Sequence, residues 1–519
     1  MKNLDREKRL GISIFVIFYA ILITRNSWIS DDAYITFRSI ENFLAGYGLG
    51  YNPFIRVQAF THPLWMFLIS LLYSIERLFI PHSANALFYL TIFISIILSC
   101  VTLYLLIARI ANANILTSLL TLMLLTLSNA FIDYSSSGLE NPLTHFLLVV
   151  FILIFLSQSQ NILGLTLLTS LLALNRLDAI LLTLPVLAYC CWIHPKRVEV
   201  VKALLLGLIP LIGWTVFSIF YFGFPFPNTA YAKLNTGINT GLLIQQGLDY
   251  LLNAINWDPV TIFALGLAGV GVYISRHKDF FFLYLGVVLY LVYVVSIGGD
   301  FMSGRFLAAP LLVSSAVITH TIVSKKSLLI AVILSVLLGA FSNRSPLNGS
   351  NPVLQFPTYP IGDRNSISDQ RLYYFGNPEE DQFNSFVENG FREADLGSTF
   401  AGDKWYFSGV KRVLILDALG KLGYQSGPNT YVIDNYALAD PLLARLPVDK
   451  KYWQIGHFRR DLPDGYLETL ETGENLIHDP DMNQYFSSLN NVIHGPLWDW
   501  HRMVDIWNFN TGQYDSLIN

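Results

Sequence analysis

The sequence predicts a polytopic α-helical membrane protein with a soluble α/β domain at its C-terminal end, and three observations carry that expectation. Of 519 residues, 53% are hydrophobic and 13% charged, and mean hydropathy is positive; an ordinary soluble domain is far less apolar. Apolar runs that approach the roughly 20 residues of a bilayer crossing recur as far as residue 342. Past Ser342 the character changes: 343–519 is polar, bears Pro and Asn, and holds many of the Asp, Glu, Trp and Tyr residues. The chain thus divides into a membrane part, 1–342, and a soluble part, 343–519. A net charge of −4 gives no footing for nucleic-acid binding. Cys100, Cys190 and Cys191 all fall inside apolar segments, so neither a disulfide framework nor a CxxC metal site is available.

The basic segment 2–9 precedes an apolar run over 10–24, and no small-x-small cleavage site comes before Asp31, so this run reads as an uncleaved signal anchor. Further runs lie near 62–80, 86–108, 114–131, 142–157, 161–175, 178–193, 202–222, 259–275, 280–297, 304–323 and 327–342. Lys and Arg in short connections stay in the cytoplasm, which places the N-terminus and the basic loops 194–202, 276–278 and 325–326 inside. The loops 133–141, 175–178, 223–258 and 298–305, together with 343–519, then lie outside. For the first loop, 27–85, to join them, one early run must not span. The run 62–80, opened by His62-Pro63 and carrying Glu76 and Arg77, fits an interfacial or re-entrant helix. About eleven spans remain, in a multi-pass protein of the cytoplasmic membrane with its N-terminus inside and its C-terminus outside. Keeping 62–80 as a span would instead put Asp31-Asp32 on the face opposite the other polar loops.

Ser30-Asp31-Asp32-Ala33-Tyr34-Ile35-Thr36-Phe37-Arg38 begins where the first apolar run ends. Adjacent carboxylates are costly to hold near lipid and point to function. The following 46–65 stretch is dense in Gly, Pro, aromatic and hydrogen-bonding residues, a composition suited to a lined pocket. With the polar loops on one face, these residues gather chemistry for transfer from a lipid phosphate. Asp31 or Asp32 would orient or deprotonate an acceptor hydroxyl, Lys233, Arg305, Arg176 and His62 would stabilise the departing phosphate, and the helix bundle would hold the lipid tail. Tyr34, Arg38, Glu140, Asn228 and Asp300 would line the substrate pocket. Plainer accounts stand beside these: Arg305 snorkelling to the interface, an Arg176–Asp178 ion pair closing a helical hairpin, His62 capping the helix after Pro63. No metal-ligand set stands out, and no cofactor is called for, although a divalent cation is compatible with the chemistry.

The segments Asp31-Asp32-Ala33-Tyr34-Ile35-Thr36-Phe37-Arg38, Gly48-Leu49-Gly50-Tyr51-Asn52-Pro53, Thr61-His62-Pro63-Leu64-Trp65, Ser137-Gly138-Leu139-Glu140, Asn175-Arg176-Leu177-Asp178, Pro227-Asn228-Thr229-Ala230-Tyr231-Ala232-Lys233 and 298–306 resemble the GT-C glycosyltransferases of the mycobacterial terminal β-(1→2)-arabinofuranosyltransferase family. The likeness continues through 423–427, Asp434, 438–441 and 456–466, and so covers most of the chain. It implies a GT-C fold, a polyprenyl-phosphate sugar donor, a glycan or glycolipid acceptor outside the membrane, and a first-loop Asp, here Asp31 or Asp32, as the catalytic carboxylate. Ser303 stands where the family pattern has Pro, and Phe60 and His62 also depart from it. These departures leave the identity of the sugar open between arabinofuranose and another pentose, and the stereochemistry open between retention and inversion.

The resulting expectation is a transferase of single sugars. No DxD of the nucleotide-sugar type lies on the cytoplasmic side, so a soluble nucleotide sugar is not the expected donor. The alternatives are an oligosaccharyl transferase, whose Trp-Trp-Asp signature is absent, a glycan ligase, which lacks its own marker here, and a transporter or flippase of lipid-linked sugars, for which no internal repeat is visible. In 343–519, Lys404-Trp405-Tyr406, Lys450-Lys451-Tyr452-Trp453 and Trp498-Asp499-Trp500-His501 set aromatics beside hydrogen-bonding groups. That mixture suits either acceptor binding or a domain core.

Overall fold

With few charges along the runs, backbone groups in an apolar setting must be satisfied internally, and helices result. The computed structural model describes residues 6–79, 85–111, 114–234, 236–342, 344–348, 367–376, 409–417, 419–451 and 453–518. In order, the first helices are α1 (Arg6–Arg25), α2 (Asp31–Leu44), α3 (Pro63–Glu76), α4 (Ala86–Leu105), α5 (Ile115–Thr126), α6 (Asn129–Asp133), α7 (Asn141–Ser157), α8 (Ile162–Asn175) and α9 (Ile180–Ile193). There follow α10 (Arg197–Gly207), α11 (Ile209–Phe222), α12 (Asn228–Lys233), α13 (Thr240–Trp257), α14 (Pro259–Ser275), α15 (Lys278–Ser296), α16 (Ala308–Thr321) and α17 (Lys325–Phe341). α4, extended by a π turn to 25 residues, and α15, with 19, are long and apolar enough to cross a membrane. The pairs α10–α11, bent by 42°, and α13–α14, bent by 107°, add up to two more. The protein is a helical membrane protein with two to four such spans among the described residues, and shorter apolar helices pack among them.

Local chemistry explains where the chain turns. α2 opens on Asp31 and Asp32, acids that the helix N-terminus favours, and buries Ala33, Ile35, Phe37 and Ile40. α3 starts on Pro63, where a missing N–H costs nothing. Its 14 residues rise about 21 Å. Tyr73, near its far end, donates to Glu41 Oε1 at 2.9 Å, which keeps α3 beside α2. The stretch 223–258, expected as a loop, is largely the helices α12 and α13; its polar residues break the apolar run without breaking the helical period. At the α13–α14 bend, Asp258 accepts from Ser128 Oγ (2.7 Å), Thr261 Oγ1 (2.7 Å) and the Ala130 amide (2.9 Å).

Residues 298–304 turn between α15 and α16 with Gly298, Gly299 and Gly304 at φ of 90°, 73° and 75°. A Cβ on Gly299 would come within 2.6 Å of the Tyr250 side chain, so glycine is required there twice over.

The C-terminal segment continues with α18 (Gln370–Gly376), β1 (Arg412–Leu416), α19 (Lys421–Gln425), β2 (Thr430–Asp434), α20 (Tyr466–Thr472), α21 (Pro480–His494) and α22 (Trp500–Asn510). β1 and β2 pair in parallel from Arg412↔Thr430 to Leu416↔Asp434. Their apolar residues share a core with the first loop: Leu416, Leu419 and Val432 pack with Ile35, Tyr51 and Ala59. A second core joins Ile55, Val57, Phe224 and Ala232 to Leu442, Tyr466, Leu489 and Ile506. The Asn52 side chain donates to Val432 O and accepts from its amide, both at 3.0 Å, and so pairs with β2 as a neighbouring strand would.

Replacing Gly299 by Ala should cost about 2–4 kcal/mol from positive φ and overpacking together. Gly213→Ala, where a Cβ meets nothing within 4 Å, should cost nothing. Thermal unfolding of both variants in one detergent checks this, and equal midpoints would contradict the turn geometry.

Candidate active site

The first loop is drawn to the loop before α7 by backbone and indole bonds. The Ser30 amide donates to Ser137 O at 2.9 Å, Trp28 Nε1 to Asp133 O at 2.7 Å and Trp65 Nε1 to Gly138 O at 3.0 Å. These bonds bring the N-termini of α2 and α3 against Glu140, which stands at the start of α7. The 298–304 turn delivers Asp300 and Arg305 to the same place.

Glu140 is the hub of the resulting cluster. Its Oε1 is 2.9 Å from Arg176 Nη1 and 3.6 Å from Arg305 Nη2, and its Oε2 is 3.4 Å from His62 Nδ1. Burial would raise its pKa, but the positive charges facing it, Arg305 first, outweigh burial and hold it at about 2. Arg176 is further held by Asp178, Nε–Oδ1 2.8 Å and Nη2–Oδ2 2.9 Å, and its guanidinium lies 4.5 Å over the Phe306 ring. The ion-pair account of Arg176-Leu177-Asp178 is what the structure contains, and these carboxylates occupy the Arg176 donors expected for phosphate. His62 stands at the N-cap of α3 without a capping bond. Its Nε2 is 2.8 Å from Thr36 Oγ1, and burial lowers its pKa, leaving it a neutral spacer between Thr36 and Glu140.

Arg305 is largely covered, its side chain 12% exposed, and it is paired with carboxylates rather than snorkelling. Beyond Glu140 it reaches Asp32 Oδ2 at 3.4 Å and Asp300 Oδ2 at 3.9 Å. Asp300 itself has Oδ2 buried without a hydrogen bond, and burial raises its pKa. Lys233, at the end of α12, is exposed and makes no hydrogen bond or ion pair among the described residues. Its charge nevertheless acts on both Asp300 and His457.

The two first-loop acids part company. Asp31 Oδ1 and Oδ2 accept the amides of Lys421 (2.8 Å) and Gly420 (3.0 Å) at the start of α19, and burial raises its pKa to about 6. Asp32 instead faces Arg305, with its side chain 28% exposed. It is the accessible carboxylate of the pair.

Three expected pocket residues lie elsewhere. Arg38 is fully buried; its Nε donates to Tyr51 O (2.9 Å), Nη1 to Ser426 Oγ (2.9 Å) and Gly423 O, and Nη2 to Thr430 O (2.7 Å). It cross-links the first loop to the C-terminal segment. Asn228 Nδ2 donates to the carbonyls of Ala437 (2.9 Å), Leu438 (3.3 Å) and Asp440 (2.9 Å), a similar tie. Tyr34 packs on Phe37 and Tyr424, at 5.3 and 5.6 Å between rings. His457, which the residue pattern assigned no role, is the added member: Asp32 and Lys233 act on it, and burial, then Lys233, lower its pKa to about 4. Of the C-terminal aromatics, Trp453 is core, while 404–406 and Tyr452 lie outside the described residues.

No family model, curated protein or solved structure matches the chain. Among the described residues no His, Cys, Asp and Glu group is arranged to hold a metal ion. The cluster brings together an accessible carboxylate, a largely covered arginine, an exposed lysine and a neutral histidine. Such a set can take a proton from one group while neutralising negative charge that develops on another.

Glu140→Gln removes a counter-charge shared by two largely covered arginines that keep other carboxylate partners, and should cost about 1.5–3 kcal/mol at pH 7. Because the folded pKa of Glu140 lies below its ordinary value, its contribution is complete above about pH 4.5 and is lost as pH falls toward about 2. The stability gap between wild type and variant should therefore narrow across that window. A gap that stays constant between pH 5 and pH 2, followed by thermal midpoint in detergent, would contradict the hub.

Proposed function

We propose that the protein is an integral membrane glycosyltransferase of the GT-C type. It moves a single sugar, arabinofuranose or another pentose, from a polyprenyl-phosphate donor to a cell-envelope glycan or glycolipid. The observation that carries this reading is the separation of Asp32 from Asp31: one acid is bound by backbone amides, and the other is left accessible beside Arg305 and near the charge of Lys233.

Asp32 takes the proton of the acceptor hydroxyl as its oxygen bonds to the anomeric carbon. The bond from that carbon to the phosphate oxygen breaks, and its electron pair leaves with the polyprenyl phosphate. Lys233 and Arg305 meet the charge of the departing phosphate, while Glu140, Arg176 and His62 fix Arg305 in place.

The reading includes a topology of about eleven spans: α1, α4, α5, α7, α8, α9, the α10–α11 pair, α14, α15, α16 and α17. α3 is the interfacial helix. What supports it is the placement of helix ends. Arg176 and Arg305 stand near ends of α9, α15 and α16 whose opposite ends carry the basic loops 194–202, 276–278 and 325–326, and Glu140 opens α7 beside them. The N-terminus is then cytoplasmic, and the cluster lies on the outer face of the cytoplasmic membrane. The segment 343–519 forms an outer domain that holds the acceptor over Asp32, as its shared cores with the first loop favour.

With purified protein and a lipid-phosphate pentose, Asp32→Asn should lower turnover by about 10² or more. Asp31→Asn should keep most of it once corrected for folded protein. Lys233→Ala should raise the donor concentration needed for half-maximal rate more than it lowers turnover. Full activity of the Asp32 variant at unchanged expression, or loss confined to the Asp31 variant, would overturn the assignment.

A further inference from the structure

α13 has three faces. One looks into the protein: Gln246, Gly247, Tyr250 and Ala254 are buried. A second carries Ile244, Leu248, Leu252 and Ile255, whose spacing sets them on one side of a helix, yet they are 40, 50, 55 and 48% exposed. The third carries the exposed Gln245 and Asn256 and the half-buried Asp249. The three faces lie roughly a third of a turn apart. A helix between a protein core and water needs only two faces, whereas one that lies where protein, lipid and water meet needs three.

Two contacts fix where α13 lies. Gly247 crosses α15 at Val295, the penultimate residue of a helix long and apolar enough to span a membrane. The backbones meet so closely there that a Cβ on Gly247 would come within 2.3 Å of the Val295 carbonyl oxygen. At its other end α13 turns by 107° into the apolar α14, which begins on Pro259 with Asp258 as its cap. A helix that crosses a span at its last turn, and stands near a right angle to the next apolar helix, runs along the membrane surface.

Lipid is the partner that this position offers. One turn before the crossing, α15 leaves Val292 61% exposed, so the span presents bare apolar surface up to the level of α13. Left to water, the four aliphatic side chains would forfeit about 25 cal/mol for each Å² of apolar surface, and seating them at the boundary of headgroups and acyl chains recovers it. The buried face gives that seat a consequence. Tyr250 OH donates to Met302 O at 3.3 Å and accepts from the Phe306 amide at 3.1 Å, which ties α13 to the turn that carries Asp300 and Arg305.

We propose that α13 is an in-plane membrane-binding helix: its Ile244–Leu248–Leu252–Ile255 face rests in the headgroup–acyl boundary of the bilayer, and through Tyr250 the bilayer steadies the turn bearing Asp300 and Arg305. The proposal does not depend on the transferase reading.

Photo-crosslinking of the full chain in liposomes of phosphatidylglycerol and phosphatidylcholine tests it, with p-benzoylphenylalanine in place of Leu248, Leu252, Gln245 or Val292, one at a time. Positions 248 and 252 should form lipid adducts at the level of position 292, and position 245 should lose most of that yield. A measurement on the unsubstituted chain guards against a variant that misfolds. Hydroxyl-radical footprinting in nanodiscs should leave Leu248 and Leu252 less oxidised than Leu476, which is only 40% exposed, between α20 and α21. Equal lipid yields at 245 and 248, adducts of 248 and 252 with peptides of this chain in place of lipid, or oxidation of Leu248 and Leu252 equal to that of Leu476 would overturn the proposal.

Discussion

A carboxylate removed from water must be paired, and Glu140 is held between Arg176 and Arg305 with His62 beside it. Moving ions into a low-dielectric interior costs several kcal/mol each after relaxation, so Arg176 and Arg305 cannot drift from Glu140 without weakening its charge compensation, and His62 fills the space beside them. Each of these partners comes from a different part of the chain: the end of α8, the turn before α16 and the first loop. One buried acid thereby fixes where four stretches of chain converge. It also aims Arg305 at Asp32, and without that aim the first-loop carboxylate would have no defined electrostatic surroundings.

The C-terminal segment is bound to this arrangement by a second device, side chains that satisfy foreign backbone. Arg38, Asn52 and Asn228 donate into carbonyls of the segment, and Arg460 Nη2 donates back to Ala232 O at 2.5 Å. Asp31 completes the set by accepting the amides at the start of α19. Such bonds replace what a wider sheet would supply to a two-stranded one. A charge-assisted bond to a backbone group is also stronger than a neutral one, so the first loop and the segment hold each other rather than merely touching.

Much of this was legible in the residues. Apolar runs marked the helices, and the clustering of Asp32, His62, Glu140, Arg176, Asp300 and Arg305 followed from placing the polar loops on one face. What sequence could not resolve turns on long-range partners. Asp31 and Asp32 are neighbours with the same chemistry, and only amides 389 and 390 residues away tell them apart. Arg38 and Asn228 looked like site residues because they lie in the same motifs, but further turns of helix carry them into the packing with the C-terminal segment. His457 offered no signal of its own, since a lone histidine among aromatics reads as core until the chain brings it near Asp32 and Lys233.

In the proposed reaction, donor phosphate binds between Lys233 and Arg305 with Asp32 facing the reacting carbon. A cryo-electron microscopy map of the protein in nanodiscs, with a non-hydrolysable phosphonate analogue of a polyprenyl-phosphate pentose, tests it most directly. The account predicts phosphonate oxygens within hydrogen-bond distance of Lys233 Nζ and Arg305, and the Asp32 carboxylate turned toward the anomeric carbon. Analogue bound away from Lys233 and Arg305, or with Asp31 released from the amides of 420 and 421 to face the sugar in place of Asp32, would contradict it.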